Sequence, residues 1–121
     1  MNKEIKQKWL EALRSGKYRK GTHALKRKFP ENTEAEYCCL GVFCEICGLK
    51  PVSSREAFSG ITYFSYQFDN EAGEEEFPPD ALVTNMIGEK SMYAQKLQYL
   101  SSINDRADTF DEAIEFIEKT L

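Results

Sequence analysis

Ile61-Thr62-Tyr63-Phe64-Ser65-Tyr66-Gln67-Phe68 is the run in this 121-residue chain that aromatic and β-branched content most strongly marks as a strand. Thr62, Phe64, Tyr66 and Phe68 share one face, and Ile61, Tyr63, Ser65 and Gln67 the other. A core face backed by a wetter, interface-forming face follows. Because both ends of the chain carry helical patterns, this strand makes the expected fold α+β: a small antiparallel sheet with N-terminal and C-terminal helices packed on it.

Upstream, residues 49–60 read as a surface connection. Leu40-Gly41-Val42-Phe43-Cys44-Glu45-Ile46-Cys47 reads as a buried helix closed by Gly48, although Gly41 lowers helix propensity by about 1 kcal/mol relative to Ala. A glycine there suits a close backbone approach. Before it, an extended run within Lys17–Phe29 and a return at Glu36-Tyr37-Cys38-Cys39 predict a hairpin across the Pro30-Glu31-Asn32 turn. Ile5, Trp9, Leu10 and Leu13 recur at helical spacing and predict a helix over 2–14, ended by Ser15-Gly16.

Downstream, Asp69–Glu76 is an acidic loop, and 81–87 is long enough for two helical turns before Gly88. Leu97, Leu100 and Ile103 predict a short helix that Asn104-Asp105 terminates. Thr109-Phe110-Asp111-Glu112 has the spacing of a capping box, and Phe110, Ala113, Ile114, Ile117 and Leu121 line a last helix. With no repeat or linker, residues 1–121 read as a single domain.

Charge divides along the chain. Residues 1–30 hold ten Lys/Arg against two Glu, and 31–121 hold six against eighteen Asp/Glu, for a net charge of −4. Two solvated faces of opposite sign satisfy this pattern. So does a receptor for an anion built from 14–28, where seven cations stand without an acid between them. No apolar run reaches the ~18 residues that cross a bilayer. The N-terminus lacks the apolar stretch of a signal peptide, so the expected location is the cytoplasm.

Four cysteines, Cys38, Cys39, Cys44 and Cys47, fall within ten residues. A zinc site and a redox Cys-x-x-Cys are weighed against buried free thiols, which a reducing compartment and an apolar stretch favour. No metal or cofactor is assigned. The lone His23 has no evident catalytic partner, and GxSxG, P-loop, HExxH and dinucleotide fingerprints are all missing. No catalytic residue is assigned; a small nucleotide-acting enzyme with dispersed residues stays open. Trp9 reads either as core or as a platform for a ligand ring. Asn104 and Asp105 read either as turn residues or as groups for sugar hydroxyls and a purine edge beside Arg106.

Lys8-Trp9-Leu10-Glu11-Ala12-Leu13-Arg14-Ser15-Gly16-Lys17-Tyr18, Cys38-Cys39-Leu40-Gly41-Val42-Phe43-Cys44-Glu45, Ile103-Asn104-Asp105 and Thr109-Phe110-Asp111-Glu112-Ala113-Ile114-Glu115-Phe116-Ile117-Glu118 together resemble a group of small uncharacterised tailed-phage and prophage proteins. The chain departs from that pattern at Ala107, near an expected turn glycine, and the matched motifs leave out 61–76. The resemblance implies a phage context, in which small proteins without enzyme motifs act on host defence. In size and context alone the chain is similar to sponge proteins, which capture nucleotide-derived immune signals without cleaving them.

The resulting expectation is a homo-oligomeric binding protein for a phosphate-bearing, nucleotide-derived molecule. In it Arg14, Lys17, Arg19, Lys20 and Arg27 hold phosphates, with His23 nearby. Trp9 or Tyr18 stacks on a base, and Asn104 or Asp105 bonds a ribose. The rival expectation is an inhibitor that presents the acidic 69–76 segment to a host defence protein.

Overall fold

Asn2 starts α1 (Lys3–Arg14): its side-chain oxygen accepts from the backbone N–H of Glu4 at 2.8 Å and of Ile5 at 3.1 Å. Gly16, at φ +75°, turns the chain out of the helix as expected. The computed structural model describes residues 1–87 and 90–121, with side chains outside 86–94. Its elements follow as β1 (Arg19–Lys20), β2 (Lys26–Lys28), β3 (Glu36–Tyr37), α2 (Cys39–Ile46), β4 (Pro51–Glu56), β5 (Thr62–Phe68), β6 (Glu71–Ala72), α3 (Asp80–Ile87), α4 (Lys90–Arg106) and α5 (Asp111–Thr120).

The fold is α+β, with helices at both ends of the chain. Strands run in the order β1-β3-β2-β5-β4, and β6 pairs with β5. The sheet is mixed rather than wholly antiparallel, because β1 lies parallel to β3. The predicted hairpin exists as β2 against β3, while Cys38 and Cys39 already belong to the start of α2.

Other expectations are corrected. Residues 49–60 are not a plain connection: Pro51–Glu56 is a strand paired with β5. Val52 to Glu56 are all exposed, so no alternation of apolar residues announces the strand, and only its partner creates it. The acidic segment opens as a tight hairpin, since Asp69 (φ +49°) and Asn70 (φ +65°) both take the left-handed conformation that turns β5 into β6. Helix α4 runs through Asn104 and Asp105 to Arg106 instead of stopping there. Thr109 Oγ1 accepts from Asp111 N at 3.3 Å, and Phe110 rather than Thr109 is the N-cap of α5, so the capping box is not formed. Gly88, read as the stop of α3, lies outside the described residues.

One core unites the elements. Trp9, Leu10 and Leu13 of α1 meet Leu40, Val42 and Phe43 of α2, Leu97 and Leu100 of α4, and Ala113, Ile114 and Ile117 of α5. Trp9 is fully buried, with its ring centroid 4.8 Å from that of Phe43 and its Nε1 donating to the Cys39 carbonyl at 2.9 Å. An indole held this way has no face to offer a ligand, so the stacking role read for Trp9 is withdrawn.

The helix ends are cross-tied. Arg14 pairs with Glu118, and Lys6 Nζ donates to the Glu118 carbonyl at 3.0 Å, joining α1 to α5. No helix among the described residues is long and apolar enough to cross a membrane.

Candidate functional site

Strand register sorts the early cations onto two faces. Residues directly opposite one another in a sheet share a face, and successive residues alternate. Arg19 stands opposite Glu36, Glu36 opposite Arg27, Arg27 opposite Tyr63, and Tyr63 opposite Arg55. The next row holds Lys20, Tyr37, Lys26, Phe64 and Ser53 in the same order of strands.

The arginine row neutralises itself. Glu36 faces Arg19 at 3.8 Å and Arg27 at 3.3 Å. Arg27 also reaches Thr22 Oγ1 at 3.4 Å and lies over the Phe29 ring at 5.1 Å. Arg55 lies over the Tyr63 ring at 4.2 Å and pairs with Glu75 at 3.1 Å, whose carboxylate also accepts from Ser54 Oγ at 2.6 Å. Arg19 and Arg27, read as phosphate-holding groups, are therefore spent on Glu36. They face away from Lys20.

Asn104 is a structural residue and not a ligand group. It is 1% exposed, its Oδ1 accepts from Cys39 N at 3.1 Å, and its Nδ2 donates to the Gly21 carbonyl at 3.0 Å. Both ends of the amide serve the backbone, which leaves nothing for a sugar. Asp105 is engaged by His23: Oδ1 accepts from the His23 backbone N–H at 2.9 Å, and Oδ2 lies 3.3 Å from Nδ1. His23 sits at φ +62°, rare for a residue with a side chain, and this double contact holds it there. Lys17 is exposed in the turn between α1 and β1.

Three predicted residues do converge. Arg14, Tyr18 and Lys20 line one open depression of about 370 Å³, together with Asp108 to Asp111 at the entry to α5. Its apolar floor is Leu13, Phe110 and Ile114. The Tyr18 ring meets Tyr37 edge-on at 5.1 Å, which fixes its plane beside Lys20.

Burial raises the Tyr18 phenol, and the nearby Glu45 carboxylate raises it further. Burial first, then Glu45 and Tyr18, push Tyr37 up to about 12. Both rings therefore keep their protons at neutral pH and add no negative charge beside the lysines. Tyr66 donates to Glu45 Oε2 at 2.8 Å and so holds that carboxylate in place. The sequence reading missed Tyr37 and Phe64, and it grouped Lys26 with a linear run of cations. The alternation of Lys26 with Arg27 is the signal that separates them, and it becomes readable once the strand is known.

None of the four cysteines lines this depression. Cys38, Cys39 and Cys44 are buried and Cys47 is half-buried, all as free cysteines. Among the described residues no three His, Cys, Asp or Glu side chains group as a metal site. Burial raises every thiol above its ordinary 9.0, with Cys38 and Cys47 at about 11.

Raised thiols stabilise the fold only while the unfolded chain also keeps its protons. Above pH 9 the unfolded state ionises first and binds fewer protons, so stability falls with rising pH across the 9 to 11 window. The expected slope is about 1.4 kcal/mol per pH unit for a fully buried thiol such as Cys38. Urea unfolding under reductant at steps from pH 8 to 10.5 measures it. A flat profile would contradict the burial of these groups.

Together the fold and the site define a small α+β protein with an aromatic- and lysine-lined surface depression at the edge of a mixed sheet. The chain belongs to the family described as domain of unknown function DUF8296, which matches residues 1–121. No curated protein and no solved structure matches it.

Proposed function

We propose that this chain is a binding protein that captures a phosphate-bearing, nucleotide-derived molecule in the depression beside Tyr18 and Lys20. The observation that carries the reading is the meeting, in one depression of about 370 Å³, of an aromatic ring, an apolar floor and a lysine that has no carboxylate in ion-pair contact among the described residues. Tyr18 supplies a stacking surface, worth about 1–3 kcal/mol per base. Lys20 supplies a point charge for phosphate, and Arg14 keeps N–H donors beyond those that meet Glu118. Asp108 and Asp111 on the rim accept from sugar hydroxyls or a base amino group.

Capture without cleavage suits the same lining. The imidazole of His23 lies against Asp105 Oδ2, and no cysteine or histidine is among the described residues that line the depression. The likeness to phage proteins extends the proposal to an anti-defence sponge that lowers the free concentration of a host immune signal in the host cytoplasm. A second copy closing the open side of the depression would deepen it, which is the role the proposal gives to homo-oligomerisation.

Calorimetric titration with AMP, ADP-ribose and cyclic di-AMP at low salt tests the reading. At least one should bind, with affinity falling as salt rises. Lys20→Glu and Tyr18→Ala should each weaken that binding by about tenfold or more, from a loss of about 1.5–3 kcal/mol per contact. Chromatography should return the ligand intact. Heat from none of the three would overturn the proposal.

A further inference from the structure

The face that carries Lys20 continues beyond the depression. Lys20, Tyr37, Lys26 and Phe64 stand opposite one another on β1, β3, β2 and β5, so cations and rings alternate across four neighbouring strands. Strands lie about 4.8 Å apart, which sets the Lys20 and Lys26 backbones about 10 Å apart with the Tyr37 ring between them. Lys26 Nζ lies 4.7 Å from the Phe64 ring centroid and 5.4 Å from that of Tyr37. All four residues are half-buried, with Tyr37 packed against the core and Tyr66, next along the Phe64 face, fully buried.

The two faces of the sheet differ in how their charge is spent. On the arginine face every guanidinium meets a carboxylate. On the lysine face, among the described residues, neither Lys20 nor Lys26 has a carboxylate within ion-pair distance. The carboxylate that faces Tyr18 and Tyr37 is Glu45, and it is engaged by the Tyr66 hydroxyl. Unspent cations interleaved with rings are what a ligand with alternating phosphates and bases needs.

We infer that the row Tyr37, Lys26 and Phe64 is a second subsite contiguous with the depression, and that the ligand class is a dinucleotide, linear or cyclic. One base stacks on Tyr18, the other lies along Tyr37 and Phe64, and Lys20 and Lys26 each meet a phosphate. The inference rests on the nucleotide reading of the depression and adds the number of bases. A long single strand fits less well. The row ends at Ser53 on the edge strand β4, and a chain of net charge −4 repels an extended polyanion.

The test is calorimetry with AMP, the linear dinucleotide pApA, cyclic di-AMP and a ten-residue adenylate strand on the full chain. The wild-type protein should bind pApA or cyclic di-AMP at least tenfold more tightly than AMP. Lys26→Gln and Phe64→Leu should each pull that ratio towards one. Arg55→Gln, on the opposite face, should leave it unchanged, and thermal melts should show each variant folded. Should Phe64→Leu fail to fold, Lys26→Gln alone decides.

A ratio near one in the wild-type protein, with AMP still binding, would overturn the second subsite and leave the depression standing. Affinity that keeps rising to the ten-residue strand would overturn the dinucleotide in favour of a general single-strand track. Binding of none of the four probes would overturn the second subsite, and the absence of heat from ADP-ribose as well would overturn the depression with it.

Discussion

Gly41→Ala should lower stability by about 3 kcal/mol or more, where the same exchange in an ordinary helix raises it by about 1 kcal/mol. A Cβ at this position falls 1.8 Å from the Leu25 carbonyl oxygen and 2.7 Å from its carbonyl carbon. Those are backbone atoms and cannot swing aside as a side chain does. Leu25 is itself fully buried: its N–H donates to the Glu75 carbonyl at 2.7 Å, and its own carbonyl accepts from Cys38 N at 3.3 Å. Relief of the clash would lift α2 from the segment that leads into β2, and both hydrogen bonds would lengthen. Urea unfolding followed by circular dichroism should show a much lower midpoint or no cooperative transition. A midpoint equal to or above that of the wild type would mean that α2 does not rest on this backbone.

Asn104→Leu carries the second large effect. The two side chains are similar in size, so the change removes hydrogen bonds while keeping the space filled. It strands the Cys39 N–H and the Gly21 carbonyl, both in buried residues, at about 1–3 kcal/mol each. An expected loss of about 4 kcal/mol is a large part of the ~5–15 kcal/mol that holds a domain folded. The measurement separates two roles for this residue. A clamp between α4, α2 and the segment before β2 predicts a lower melting temperature with ligand affinity kept in the molecules that remain folded. A ligand-contacting Asn104 predicts the reverse.

These two residues mark where sequence reading is strong and where it stops. Gly41 was open to reading as a point of close approach, since a glycine inside an apolar helix needs a reason. What it approaches, Leu25, lies sixteen positions upstream and carries no mark of the contact. Asn104 followed by Asp105 has the composition of a turn, and composition cannot reveal that an amide is aimed at two backbone groups 65 and 83 positions away. Strand β4 was invisible for a related reason. Val52 to Glu56 are exposed, so no apolar alternation marks the strand, and its pairing with β5 is a property of the pair.

The candidate site divides the same way. The excess of cations in residues 1–30 is a fact of composition, and it led to Arg14 and Lys20, which share a depression with Tyr18, the ring read as a stacking surface. The same excess grouped Arg19 and Arg27 with them, because charge counted along a chain has no direction. The period of two in a strand sends neighbours to opposite faces, so Arg19 meets Glu36 while Lys20 meets Tyr37.

By itself the sequence determined the α+β class, helices α1, α2 and α5, the central strand β5 and the burial of Trp9 and the clustered thiols as one available reading, because apolar periodicity and local turn chemistry act over a few residues. The tertiary structure alone decided the register that spends one row of cations on carboxylates and leaves the other without them among the described residues, the clamp at Asn104, and the depression at the entry to α5. Those depend on which distant segments lie side by side, and the free energy of such contacts belongs to pairs of segments, so it leaves no periodic trace in either one.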